Sequence, residues 1–305
     1  MPRLLYAALI ALSLIWGGSF YFIKTLLDDF GPWTIAFLRS ACGLLVVTFI
    51  MIAMRKPFAL RSIPWIPVTI MAMVNTAIPW ALIGFSETRL ASGTASILNA
   101  TTPIWTILVG ISLFRQPSNR NQWLGVSVAF LGLLVLLGVT PGAIASMDPI
   151  GFVGMLLAAI CYGFGSQLSK RLLVGFSMYQ ISFGTLLTSV LACGVLGALT
   201  EPVVAADLTQ WSNLVPIIGL GAFGSGFAYI LFYYMVQKGS PEFASMVTYL
   251  VPCTALVWGA LLLDEVIHWN SVAGLAIILG GVFLASRPVR TKEGDRPHGA
   301  RIRHR

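Results

Sequence analysis

An all-α membrane fold, with ten transmembrane helices in two inverted-topology five-helix repeats, is predicted for this chain by three features. Of its 305 residues 57% are hydrophobic and only 10% are charged, against about 25% charged in an ordinary soluble domain. The apolar residues gather into ten stretches, most of them close to the roughly 20 residues a helix needs to cross a bilayer core. The two halves of the chain also repeat each other at a nearly constant offset. With 19 Lys and Arg and 11 Asp and Glu, a water-facing surface would have to expose large apolar patches. The solvent for most of this chain is lipid.

The first stretch, Leu5 to Leu26, follows Arg3 as a signal peptide would, but its apolar run continues without a small-residue cleavage site, so it reads as an uncleaved helix. The second, Trp33 to Met54, carries Arg39. The third, Trp65 to Phe85, carries Asn75, Pro79 and Trp80. The fourth, Ala91 to Phe114, has Ser92, Ser96, Asn99, Pro103, Thr106 and Gly110 at spacings of three or four, which places them on one face. The fifth, Gln122 to Val139, closes a first repeat over residues 1–139, and an external loop over 140–148 follows. The second repeat, 149–286, holds Pro149 to Leu172, Met178 to Leu199, Leu214 to Gln237, Pro241 to Leu263 and Ser271 to Ala285. A basic tail, 287–305, ends the chain.

Orientation follows from Lys and Arg, because connections that carry them resist translocation. With a cytosolic amino terminus, Lys24 and Arg89 are the basic residues left in outer connections and Arg39 lies within a span. All the others fall inside, so both termini are expected in the cytosol of a cell whose inner (plasma) membrane holds the protein. The net charge of +8 is dispersed in short runs between spans. Nucleic-acid binding would need it clustered on one folded face, so no nucleic-acid partner is expected.

An offset of 149 places Ala95-Ser96 on Ala244-Ser245, Pro103 on Pro252, Gly125 on Gly274 and Gly132 on Gly281; it also pairs Trp80 with Tyr229 and Asn99 with Thr248. Near the start of each half the offset is 146, pairing Trp16-Gly17 with Tyr162-Gly163 and Lys24 with Lys170. Five helices per half is an odd number. The second copy therefore enters the membrane from the opposite side, an arrangement typical of alternating-access transporters.

Several motifs now stand in a specific order: Trp16-Gly17-Gly18-Ser19-Phe20, Phe37-Leu38-Arg39, Ala95 through Pro103, and Pro252 followed by Asp264-Glu265 and Gly274. In that order the chain resembles the drug/metabolite transporter superfamily, as an EamA-type permease whose two EamA repeats cover about residues 5 to 286. It departs from the family's pattern after the fourth helix, where Arg115-Gln116 stands opposite Asp264-Glu265. The resemblance implies export of small organic metabolites, with amino acids or their derivatives leading.

Catalysis has no visible apparatus. The His residues, His268, His298 and His304, lie in a loop or the tail, and no His-Glu-x-x-His, mid-span acid pair or nucleophile-base pair occurs. No catalytic residue, metal ligand or cofactor is assigned. Cys42, Cys161, Cys193 and Cys253 lie in apolar stretches without zinc spacing and read as core residues. Gly221 to Gly226 is glycine-rich, but no strand precedes it. The absence of a mid-span acid points to facilitated efflux, exchange or a coupling route other than an intramembrane carboxylate.

The candidate substrate-binding residues are Trp16, Asn75, Trp80, Asn99, Tyr162, Tyr229 and Thr248. The four aromatics lie near mid-span rather than at the interfaces, where belt residues such as Trp33, Trp65, Trp211 and Trp269 belong. A Trp or Tyr facing a cavity offers a flat apolar face and one donor. Pro103 releases the carbonyl of Asn99, four residues earlier, so side chain and backbone of Asn99 are both expected to face the cavity. Packing between helices is the competing role for all seven. Arg39, about 9 Å inside its span at 1.5 Å per residue, is expected to extend its side chain back to the interface. The expected partners are a small-molecule substrate and the bilayer, and Gly125, Ala129, Gly132, Ala276 and Gly280 allow close packing, including a homodimer. The alternatives are a broad drug or cation exporter and a non-transporting membrane scaffold or sensor.

Overall fold

A computed structural model describes residues 3–136, 138, 147–202, 207–262 and 269–285. Most of the expected external loop, Asp264-Glu265, His268 and the basic tail lie outside the described residues.

The described chain is helical throughout, with no strand among the described residues. In the first half, α1 (Arg3–Gly17) runs through Gly18 into α2 (Ser19–Leu26), and α3 (Pro32–Ala53) returns. Next come α4 (Trp65–Ala72), a π-helical segment Met73–Ala77 and α5 (Ile78–Glu87), then α6 (Ser92–Asn99), α7 (Thr102–Ser112) and α8 (Arg120–Leu136). The second half holds α9 (Pro149–Leu172), α10 (Met178–Thr200), α11 (Trp211–Ile218), a π-helical segment Gly219–Phe227 and α12 (Ala228–Lys238). Finally α13 (Pro241–Ser245), α14 (Val247–Leu262) and α15 (Trp269–Ala285) complete it. Among the described residues seven helical rods are long and apolar enough to cross a membrane, ending with Trp211–Lys238; two shorter apolar helices are Arg120–Leu136 and Val272–Ala285.

Local chemistry explains the starts and breaks. Proline stands in the first turn of α3, α7, α9 and α13, where its missing N–H costs little. Asp148 caps α9 by accepting from Gly151 N at 2.8 Å, and Ser177 with Gln180 forms a capping box on α10. Glu201, from beyond the end of α10, accepts from Trp33 N at 2.9 Å, Thr34 N at 2.8 Å and Thr34 Oγ1 at 2.8 Å. It thereby caps α3 across more than half the chain. A carboxylate at a helix N-terminus meets orphan N–H groups and the positive dipole end. Glu201→Ala is expected to lower stability by about 1–2 kcal/mol, read as a lower unfolding midpoint in detergent; an unchanged midpoint would remove the capping role.

The two π-helical segments occupy related positions, since the offset of 149 carries Met73–Ala77 into Gly219–Phe227. In the first, Pro79 cannot accept the normal geometry against the carbonyl of Asn75 four residues earlier, and the ladder widens there. Packing between halves is reciprocal in the same sense. α3 lies along α10 and α8 along α15; α1 crosses α14 and α12, while α9 crosses α7 and α5. Along α8 and α15 the backbones touch. A Cβ at Gly125 would overlap the backbone of Ala285, and one at Gly281 would overlap that of Ala129. Those small residues are used within the chain, whereas Gly280 faces open space.

Candidate functional site

The helix breaks beside Gly18, Ala100 and Met246 and the first π-helical segment meet at a cavity of about 70 Å³, room for roughly five water-sized spheres at about 10–15 Å³ each. Its wall includes Trp16, Asn75, Trp80, Asn99, Tyr162, Tyr229 and Thr248. All seven sequence-predicted candidates are thus brought together, from both halves of the chain. Thr248 sits just inside α14 and Asn99 at the end of α6, the positions the offset of 149 relates.

The polar tips are arranged differently from the expectation. Trp16 Nε1 donates to Gly224 O at 2.9 Å and Tyr229 OH donates to Asn75 O at 2.8 Å. Both acceptors lie in π-helical segments, where a carbonyl released from the regular ladder needs a donor. The two aromatics therefore present faces rather than donors to the cavity. Trp80 stands edge-on to Tyr229, at 5.4 Å between ring centroids and 90° between planes, and Phe232 lies 6.0 Å from Trp16. The Asn75 amide donates to Tyr233 OH at 3.2 Å, and Tyr233 shares a 3.2 Å hydrogen bond with Thr185.

Asn99 also departs from expectation. The carbonyl that Pro103 releases is recaptured locally, because Thr102 Oγ1 donates to Asn99 O at 2.6 Å. What remains unpartnered is the side chain: Asn99 Oδ1 is enclosed and accepts no hydrogen bond. Lower on the stripe, Thr106 and Gly110 pack against α9, with Gln167 Nε2 donating to Thr106 O at 3.0 Å. Tyr249, next to Thr248, is fully buried and donates to Val126 O at 3.2 Å.

Arg39 is the largest correction. Instead of extending to the interface, the side chain is only 5% exposed and lines the cavity. Its guanidinium lies 3.8 Å from the Trp80 ring centroid, and Nε donates to Ser225 Oγ at 3.1 Å. Stacking on a ring and bonding to a hydroxyl give a desolvated cation enough partners to stay inside. The spacing of Phe37-Leu38-Arg39 carried no sign of this, because Ser225 is supplied by the opposite half.

Toward either end of the helices that line the cavity, side-chain contacts join neighbouring elements. At one end Glu87 is fully buried; Ser92 Oγ donates to its Oε2 at 3.1 Å, and Lys24 Nζ donates to its backbone carbonyl at 2.6 Å. Nearby, Arg89 and Asp148 form an ion pair at 3.6 Å. At the other end Gln167 Nε2 donates to Glu242 Oε1 at 2.6 Å, Tyr6 meets Phe243 edge-on at 5.6 Å, and Lys170 Nζ donates to Val236 O at 2.8 Å. Lys24 and Lys170, paired by the repeat, thus hold the ends of α5 and α12 in the same way. No cluster of three metal-ligating side chains occurs among the described residues.

The profile of the EamA-like transporter family matches residues 3–138 and again 149–287, nearly all of both halves. The chain belongs to the EamA-like transporter family. Among similar proteins, this EamA-like chain is 25% identical over 287 residues to "Uncharacterized inner membrane transporter YedA" of Escherichia coli K12, covering 92% of this chain and 90% of that protein. It is 24% identical over 279 residues to "Uncharacterized transporter YoaV" of Bacillus subtilis, covering 90% and 94%. With "Protein PecM" of Dickeya dadantii it shares 23% identity over 273 residues, covering 88% of each. A solved crystal structure of a protein with 17% sequence identity superposes with a TM-score of 0.78 over 94% of this chain and 97% of its own. That likeness concerns the fold. The resemblance read from the motifs therefore holds at the level of the family, and the EamA-like chain is a membrane transporter by descent.

Proposed function

We propose that this protein is a ten-helix inner-membrane carrier that moves small organic metabolites, amino acids or their derivatives first among them, outward by alternating access. The observation that carries the reading is a cavity walled by side chains of both halves of the chain. A carrier needs a central site whose two closures can open in turn. On the orientation set by Lys and Arg, the Glu87 end faces outward and the Glu242 end faces the cytosol. The related π-helical segments and the reciprocal packing of α3 with α10 and of α8 with α15 support an inverted repeat whose halves rock against each other. The inner membrane is the location given in the name of the Escherichia coli relative, and outward transport is the direction the family resemblance implies.

The cavity surface is mostly aromatic face with a few polar groups, which suits small amphipathic solutes. The drug or cation exporter is disfavoured by Arg39, since a lipophilic cation entering this cavity would meet a buried cation. The test is counterflow: purified protein in liposomes loaded with one unlabelled solute at a time, from amino acids, nucleosides, sugars and organic cations, scored by uptake of the labelled solute. An amino acid is expected to exchange, and Asn99→Ala is expected to slow it by about tenfold, the effect of losing one good hydrogen bond to a charged ligand. If nothing moves while the protein stays monodisperse, the carrier reading fails and the scaffold reading takes its place.

A further inference from the structure

We infer that Arg39 is the carboxylate-binding group of the cavity and that the transported solutes carry a carboxylate. The inference rests on the carrier reading and deepens it. Three observations lead to it.

First, Arg39 is enclosed without a counter-ion. The Arg89–Asp148 contact is the only ion pair among the described residues, and the groups set against Arg39 are a ring face and a hydroxyl. A guanidinium has five N–H donors in a fixed fork; Ser225 takes the one on Nε, and the terminal nitrogens keep theirs. Second, the anchoring is rigid. Trp80 lies against the guanidinium and Ser225 holds Nε, so the fork needs little further ordering when a ligand arrives. Ser225 is itself tied down, donating to Leu220 O at 3.1 Å within the π-helical segment. Third, the same wall holds an acceptor without a donor, Asn99 Oδ1. A planar carboxylate matches the guanidinium fork by paired hydrogen bonds, and an ammonium or amide N–H on the same solute would satisfy Asn99. A free cation with a free acceptor is the complement of an α-amino acid.

The experiment compares three forms of each of three solutes in counterflow: alanine, leucine and phenylalanine, each as the acid, the carboxamide and the N-acetyl acid. Wild-type protein is expected to exchange the acids and to reject the carboxamides by about tenfold or more, as loss of a charge-assisted bond implies. Arg39→Gln is expected to erase that preference and Arg39→Lys to keep part of it. The N-acetyl acids keep the carboxylate and are expected to retain that part of the binding that Arg39 supplies. Should Arg39→Gln fail to fold, the acid-to-amide ratio of wild-type protein and its decrease in Ser225→Ala remain readable. Equal exchange of acids and carboxamides by wild-type protein overturns the inference and leaves the carrier reading intact, as does an unchanged preference in Arg39→Gln. No exchange of any solute by monodisperse protein overturns the carrier reading itself and the role of Arg39 with it.

Discussion

Trp80→Ala is expected to reduce exchange by roughly thirtyfold. The indole is the platform for Arg39 at 3.8 Å and the edge partner of Tyr229 at 5.4 Å, and it is 3% exposed. A desolvated cation–π contact contributes about 2 kcal/mol, and each factor of ten corresponds to about 1.4 kcal/mol. Without the ring the guanidinium loses its stacking surface, and the cavity gains the space of one of the two tryptophans on its wall. The protein itself is expected to lose about 3–5 kcal/mol of stability, as large buried aromatics do on truncation. Trp80→Phe keeps a smaller ring and should fall between the two. Counterflow normalised to reconstituted protein, with the unfolding midpoint measured on the same preparation, separates the two losses. Exchange by Trp80→Ala at the wild-type rate would show that the ring neither lines a working site nor positions Arg39.

Gly221→Val should unfold or distort the crossing of α3 with the π-helical segment, and Cys42→Gly should partly rescue it. A Cβ at Gly221 would overlap Cys42 Cβ and approach the carbonyl oxygen of Arg39 at 3.3 Å. From the other side, a Cβ at Gly43 would come within 2.9 Å of Ser225 Cβ. The two backbones are in contact here, so a branched side chain has nowhere to go except by pushing α3, and Arg39 with it, away from the wall. Overpacking of this kind costs about 1–3 kcal/mol. Removing the Cys42 side chain clears the first overlap, so the double variant should recover about 1 kcal/mol relative to additivity, the coupling expected of residues in contact. Gly280→Ala is the control, because nothing lies within 4 Å of its added Cβ, and its midpoint should not fall. Equal losses at Gly221 with and without Cys42→Gly would mean that backbone freedom in the π-helical segment, rather than the contact, is what the glycine supplies.

The seven candidate residues were legible because they obey rules that act along one chain. Mid-span aromatics cannot serve an interfacial belt, a polar face on an apolar helix turns away from lipid, and related positions in two copies tend to meet where the copies meet. Trp16 with Tyr162, Trp80 with Tyr229 and Asn99 with Thr248 follow that logic, and all line one cavity. What those side chains do there was not legible. The donor of Trp16 is taken up by Gly224 O and that of Tyr229 by Asn75 O, contacts between residues separated by 208 and 154 positions. Only the location of an orphan carbonyl decides whether an aromatic gives its tip or its face. Glu87 illustrates the same limit: it stands near the end of an apolar stretch like any interfacial acid, yet it is enclosed because Ser92 and α2 close over it.

By itself the sequence determined the membrane environment, the helical segments, their repetition and the membership in a family, since each depends on composition or on spacing within one segment. Hydrophobicity chooses lipid over water residue by residue, and proline and glycine mark breaks through their own backbone limits. The tertiary structure alone decided the character of the cavity. Arg39 could reach the interface or turn inward from the same helix position, and the choice went to the arrangement in which Trp80 and Ser225, from two other helices, replace the water it gives up. A charge in a low-dielectric interior is held by partners whose positions are set by packing over long sequence distances.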